Sequence, residues 1–195
     1  MATTYITKEE AFETRNRTAK PMMWVGIVGI VMLFAGLTSA YIVRQAEGNW
    51  LYFDLPDTFY WSTGVIVLSS LTMALAQWAV RRDQLTLVIG GLATTLILGL
   101  VFAYMQFSAW GELVDMGIYF GGREANPSGS FLYVLSGLHL VHIAGGIIAL
   151  LFTTIKAGLK MYSSEDHVGI GVAATYWHFL DILWIYLLLF LVFIR

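Results

Sequence analysis

His178 and Asp181 stand three residues apart in the run Tyr176-Trp177-His178-Phe179-Leu180-Asp181-Ile182-Leu183-Trp184, and His139 and His142 repeat that spacing about forty residues earlier. At helical pitch each pair shares one helix face. All four lie inside long apolar stretches. An ionisable group in hydrocarbon is expensive unless it faces protein or a partner, so each is a site hypothesis by default. Four candidate ligands on two helices invite a metal or a haem, and depth tests that idea. If the two stretches cross a bilayer in opposite directions, a rise of about 1.5 Å per residue puts His142 roughly 16 Å from the cytoplasmic boundary, Asp181 roughly 12 Å and His178 roughly 7 Å. A bis-histidine haem needs its ligands at one level, and the offset of roughly 9 Å between His142 and His178 argues against it. A hydrogen bond from His142 to Asp181 fits better in depth, and such helix-crossing pairs contribute about 1 kcal/mol. Structural polar packing is therefore the first reading of His139, His142, His178 and Asp181, ahead of proton or lipid-headgroup chemistry and of a metal.

Other chemistries find little support. With no cysteine the chain has no disulfide, iron–sulfur cluster, thiolate metal site or cysteine nucleophile. No Ser-His-Asp constellation, phosphate loop or HExxH motif is visible. Gln77, Gln106, Tyr104, Ser69 and Ser136 read as helix contacts. Lys156 and Lys160, four apart at the end of an apolar segment, suit either an anionic lipid phosphate or a plain topology signal.

The elements that position these residues follow from composition. Of 195 residues 58% are hydrophobic and 12% charged, with a mean hydropathy of +0.71, against roughly 25% charged in a soluble domain. A span needs about 20 consecutive apolar residues, and residues 21–43, 58–80, 86–107, 130–153 and 173–194 qualify. The expected fold is an all-α bundle of five transmembrane helices over 21–195, preceded by a tail of residues 1–20. That tail has no apolar core of a cleavable signal, so the first span itself serves for insertion. Thr7 and Glu10 form a capping-box pattern, which allows a short surface helix or a disordered tail. Lys8, Arg15, Arg17, Lys20, Arg81, Arg82, Lys156 and Lys160 fall on one side, against Arg44, Arg123 and Arg195 on the other, which orients the N-terminus to the cytoplasm and the C-terminus outside.

Pro21 suits a first helical turn, while Pro56 and Pro127 sit in loops, so no proline kinks a span. The short hairpin from Arg81 to Leu85 forces the second and third spans to pack antiparallel. Gly36 with Ala40, and Gly91 with Thr95 and Gly99, read as small-residue contacts between helices. Trp24, Trp50, Trp61, Trp78, Trp110 and Trp177 read as interfacial belts. No internal repeat suggests an inverted-repeat transporter.

From about Lys20 onward the chain resembles subunit III of the haem–copper oxidases. Trp177-His178-Phe179 with Asp181 and Trp184 looks like that family's WHFxDxxW signature. Ser136-Gly137-Leu138-His139-Leu140-Val141-His142, followed by Gly145 and Gly146, is similar to its pattern in the penultimate helix. Phe34-x-Gly36, Leu55-Pro56 and Leu98-Gly99 with Gln106 are weaker echoes.

The resemblance implies the short five-span form, lacking the two-helix pair of longer members. It implies a non-catalytic subunit in a bacterial cytoplasmic membrane, packed against haem-bearing subunit I and subunit II. Haem and copper belong to those partners and none to this chain. It also implies bound phospholipid touching Lys156, support of proton uptake in aerobic respiration, room for a larger respiratory supercomplex, and no nucleic-acid partner. A quinol oxidase or nitric-oxide-reductase-associated homologue is the alternative, followed by a small transporter or a bis-histidine haem protein. Two acids frequent in the family are replaced here, by Ile30 and by Gly171 after His167-Val168-Gly169, which argues against a direct proton relay.

Overall fold

A computed structural model describes residues 8–162 and 167–194. Thr7, and with it the capping-box pattern, lies outside them. Five helices follow one another: α1 Lys8–Ala46, α2 Asp57–Val80, α3 Leu85–Asp115, α4 Pro127–Gly158 and α5 Val168–Phe193. All five are long and apolar enough to cross a membrane, and among the described residues there is no strand.

The buried positions reveal how the helices meet. On α3 they are Val88, Leu92, Thr95, Gly99, Phe102, Gln106, Ala109 and Leu113, an unbroken alternation of four- and three-residue steps. On α2 the steps Phe59, Ser62, Ile66, Ser69, Met73, Ala76 and Val80 keep the same period. So do Ile170, Ala174, Trp177, Asp181, Trp184, Leu188 and Leu191 on α5. A spacing of 3.5 residues is that of left-handed bundles whose helices cross near about +20°.

Four helices close a ring in which α2 packs on α3, α3 on α4, α4 on α5 and α5 back on α2. No backbone contact runs across it. The first helix stands outside, its backbone packing on α4 and α5 alone among the described helices. Its C-terminal end is fastened by Tyr41, whose ring meets Trp50, Phe131 and Phe190 at centroid distances of 4.7, 5.7 and 5.0 Å. Tyr186 of α5 adds a hydrogen bond to Thr38 Oγ1 at 3.2 Å.

The helices outrun the apolar spans. The third continues through Glu112 to Asp115 because Ala109 and Leu113 prolong its buried seam beyond the last apolar run. At about 1.5 Å per residue it exceeds the roughly 30 Å hydrocarbon core. Glu112 is then in place to accept a hydrogen bond from Thr58 at the start of α2. Pro21 departs from expectation: it lies inside α1, which begins at Lys8, rather than in its first turn. Its ring removes the amide that would bond the Arg17 carbonyl, and both residues are exposed. Between Val80 and Leu85 the tight hairpin is as expected, with Asp83 at a φ of 54°.

Asn126 organises the opposite end. It caps α4 by accepting from the Ser128 amide at 3.1 Å, with Pro127 in the first turn. It also accepts from the Leu51 amide and donates to the Asn49 carbonyl, each at 3.2 Å. One side chain thus ties the loop between α1 and α2 to a helix start.

Candidate functional site

Two tryptophans seven residues apart on α5 fill the axis of the ring. Trp177 is fully buried and donates Nε1–H to Ser69 Oγ on α2 at 2.9 Å. Its six-membered ring enters a slot between Gly99 of α3 and Gly146 of α4. A Cβ at Gly99 would come within 2.6 Å of Trp177 Cη2, and one at Gly146 within 3.1 Å of Cε3. Trp177 therefore joins all four helices of the ring. It is not the interfacial tryptophan its sequence position suggested, because α5 begins at Val168 and the residue stands roughly 13 Å along it.

One heptad on, Trp184 donates to Thr63 Oγ1 of α2 at 2.9 Å. It stacks on His139 of α4 at 5.1 Å and meets Phe102 of α3 edge-on at 5.2 Å. Two further hydroxyls on the buried faces complete the seam: Ser62 accepts from Gln106 Nε2 at 3.0 Å, and Ser136 from Trp110 Nε1 at 3.1 Å. Between α2 and α3, Thr72 and Thr95 share a 2.7 Å hydrogen bond next to Gly91, where a Cβ would meet Ala76 Cβ at 2.9 Å.

Of the four polar residues singled out by spacing, no two are hydrogen-bonded to each other. His139 is enclosed by Phe34, Phe102 and Trp184, and neither of its ring nitrogens has a hydrogen-bond partner. His142 Nδ1 lies 2.7 Å from the Leu138 carbonyl of its own helix and its ring rests 5.8 Å from Phe34 of α1. His178 Nδ1 is 2.6 Å from Ser70 Oγ on α2. Asp181 is buried, and Ser70 approaches it, yet neither carboxylate oxygen makes a hydrogen bond of acceptable geometry.

The expected His142–Asp181 bond is thus absent. The two residues do lie at a similar level along the bundle, since Gly146 packs on Trp177 and Leu180 while His139 lies beside Trp184. The faces differ, however: His142 looks toward α1, whereas Asp181 looks toward α2. Ser70 beside His178 brings a serine and a histidine together, but Asp181 does not hydrogen-bond the imidazole, so the arrangement lacks the orienting carboxylate of a nucleophilic triad. Among the described residues no group of three metal-ligating side chains forms.

The small-residue expectation divides. Gly91 and Gly99 are the close-approach points of α3, whereas Gly36 has nothing within 4 Å of where its Cβ would be. Gly36 and Ala40 instead line an open groove beside α4. Tyr104, read as a helix contact, is 74% exposed.

Near the start of α5 lies a cleft of about 360 Å³, bounded by Ala19 and Met23 of α1, Thr153 and Lys156 of α4, and Val172 and Tyr176 of α5. Its walls are mostly apolar with Lys156 at one edge. Lys160 does not share this face. Helix α4 stops at Gly158 and Lys160 takes a left-handed backbone turn with φ 55°. Sequence reasoning did not find Ser70, Thr63, Ser69 and Ser62 as partners of the polar groups; Ser62 and Ser69 carry the signal of the repeating buried face of α2, and Thr63 and Ser70 are the half-buried residues that follow them.

Comparison with known proteins agrees with this architecture. The family model of cytochrome c oxidase subunit III matches residues 53–194, a stretch that includes α2 to α5 and therefore the whole ring. The probable cytochrome c oxidase subunit 3 of Mycobacterium tuberculosis is 30% identical over 175 residues, covering 85% of this chain and 82% of that protein. The probable quinol oxidase subunit 3 of Staphylococcus saprophyticus is 24% identical, covering 84% and 83%. With Trp177 and Trp184 of the WHFxDxxW run and Gly146 of α4 converging on one packed axis, the chain belongs to the cytochrome c oxidase subunit III family and is subunit III of a haem–copper oxidase.

Proposed function

We propose that this chain is a non-catalytic subunit of a proton-pumping cytochrome c oxidase in a bacterial cytoplasmic membrane, with its N-terminus inside and its C-terminus outside. It packs against subunits I and II, which carry the haem and copper, and it holds phospholipid. The observation that carries this reading is the use of the family's signature residues. Trp177, Trp184 and His178 are engaged with Ser69, Thr63 and Ser70 of α2, so the motif fastens α5 to α2, a structural use that supports a non-catalytic subunit.

The apolar cleft beside Lys156 supports the lipid role: acyl chain against Met23, Val172 and Ala149, phosphate against the ammonium. A quinol oxidase subunit is the second reading, favoured by the similarity to the Staphylococcus protein.

Purification through a tag on this chain, followed by a reduced-minus-oxidised spectrum and identification of the co-purifying chains, tests the assignment. Haem-a-type bands with a copper-bearing subunit are expected. Haem of b or o type without that copper would move it to the quinol branch, and haem held by the chain alone would overturn the non-catalytic role. Replacing Lys156 by Glu should lower the anionic lipid that co-purifies; an unchanged lipid content would remove the Lys156 site.

A further inference from the structure

A second cleft, of about 200 Å³, opens where α1, the end of α2 and the start of α5 meet. Val168 lines both clefts, so the second lies across the first turn of α5 from Lys156. Its character is different. Lys20 of α1, Arg81 capping α2 and His167 before α5 all line it, together with Gln77, Thr175 and Gly171. The three basic residues come from three separate elements, and among the described residues no carboxylate lines the cleft and none of the three is ion-paired. His167 Nδ1 is buried without a hydrogen-bond partner.

Convergent basic groups with no counter-charge repel one another unless an anion joins them. The free amides at the start of α5, a helix of 26 residues, add to the same positive potential. Size narrows the ligand. The volume falls below the roughly 300–1,000 Å³ of sites for drug-sized molecules, a size that suits a phosphate group. An arginine presents a fork of donors that matches phosphate oxygens, with lysine as a point charge beside it.

We propose that this cleft is a phosphate site in which Arg81 and Lys20 hold the anion and His167 supplies a third donor. The phosphate comes from an anionic lipid headgroup or from solution, and one experiment separates the two. The purified oxidase complex is reconstituted in phosphatidylcholine nanodiscs, and acylation of Lys20 by an amine reagent is followed by peptide mass spectrometry. It is repeated with phosphatidylglycerol in the disc, and with inorganic phosphate in the buffer.

Several-fold protection of Lys20 by phosphatidylglycerol alone assigns a lipid headgroup; protection by inorganic phosphate in the phosphatidylcholine disc assigns a free-anion site. Either effect should vanish in Arg81→Gln. It should also vanish in Gly171→Leu, which retains every charge and extends into space where a Cβ meets nothing within 4 Å. Exposed Lys160 is the internal reference. Equal protection of Lys160, protection that survives in both variants, or no protection from either probe would overturn the proposal, the basic side chains then being neutralised within the chain or only screened at the surface. Because the readout is Lys20 reactivity, such a failure leaves the oxidase assignment untouched.

Discussion

At the scale of single residues, Trp177 shows what holds a bundle together in lipid. Between apolar helices in an apolar solvent there is no hydrophobic gain, so association rests on close packing and on hydrogen bonds. The Trp177 indole supplies both, in a slot formed by two glycines. Gly99→Ala should destabilise by about 1–3 kcal/mol through overpacking, and Trp177→Phe, which shortens the ring, should recover part of that loss. Thermal melting of the two single variants and the double variant checks it; additive effects would mean that the two residues do not compete for the same space. A second cycle concerns the polar pairs. Ser70→Ala and His178→Ala should be coupled by about 0.6–1.7 kcal/mol, the range found for hydrogen bonds between membrane helices. The cycle on His142 and Asp181 should give a coupling near zero. Equal coupling in both would contradict the separation of faces described for α4 and α5.

At the scale of elements, the existence and order of the five helices were legible in composition, because a run of apolar residues bounded by charge is a strong signal for a span. Their lengths were not. Hydropathy stops at Phe107, whereas α3 is continued to Asp115 by Ala109 and Leu113 packing on the same seam. The inner faces were not marked by hydrophobicity either, since outward-facing positions such as Ile97 and Leu100 are as apolar as any core. What marks the inside is the 3.5-residue recurrence of small, hydroxylic and aromatic residues: Ser62 and Ser69, Thr95, Gly99 and Gln106, Trp177 and Trp184. Read with that inverted pattern, Ser69 would have been found as the acceptor for Trp177, whereas Thr63, the acceptor for Trp184, lies one position off the seam. The His142–Asp181 pairing failed for a related reason: depth fixes level but not azimuth. At the opposite end Asn126 yields a local prediction. Asn126→Ala removes a helix cap, a loss of about 0.5–2 kcal/mol, and frees the Leu51 amide. Hydrogen exchange should quicken at both Leu51 and Ser128; a change at only one would show that the cap and the loop tie are separable.

At the scale of the whole molecule, the closed ring and the outlying helix divide the chain into unequal parts. The family match covers residues 53–194, in which each of the four helices has two neighbours, while α1 leans on α4 and α5 alone. Removal of the first 50 residues should therefore leave the ring folded, with Trp177 and Trp184 fluorescence still shielded from aqueous quenchers, while losing the cleft that Ala19 and Met23 help to form. Collapse of the ring in that truncation would show that α1 is needed for the axis.

The placement of α1 also has a consequence for synthesis. A chain made from its N-terminus produces α1 before the other four, but the two helices on which its backbone packs are the last of the five to be made. Until α4 and α5 have entered the bilayer, α1 has no complete docking surface and must wait among lipids, its Phe34 without His139 and His142 and its Tyr41, already beside Trp50, without Phe131 and Phe190. The first helix inserted is the last one to settle, and closure of the ring on α5 is the event that captures it.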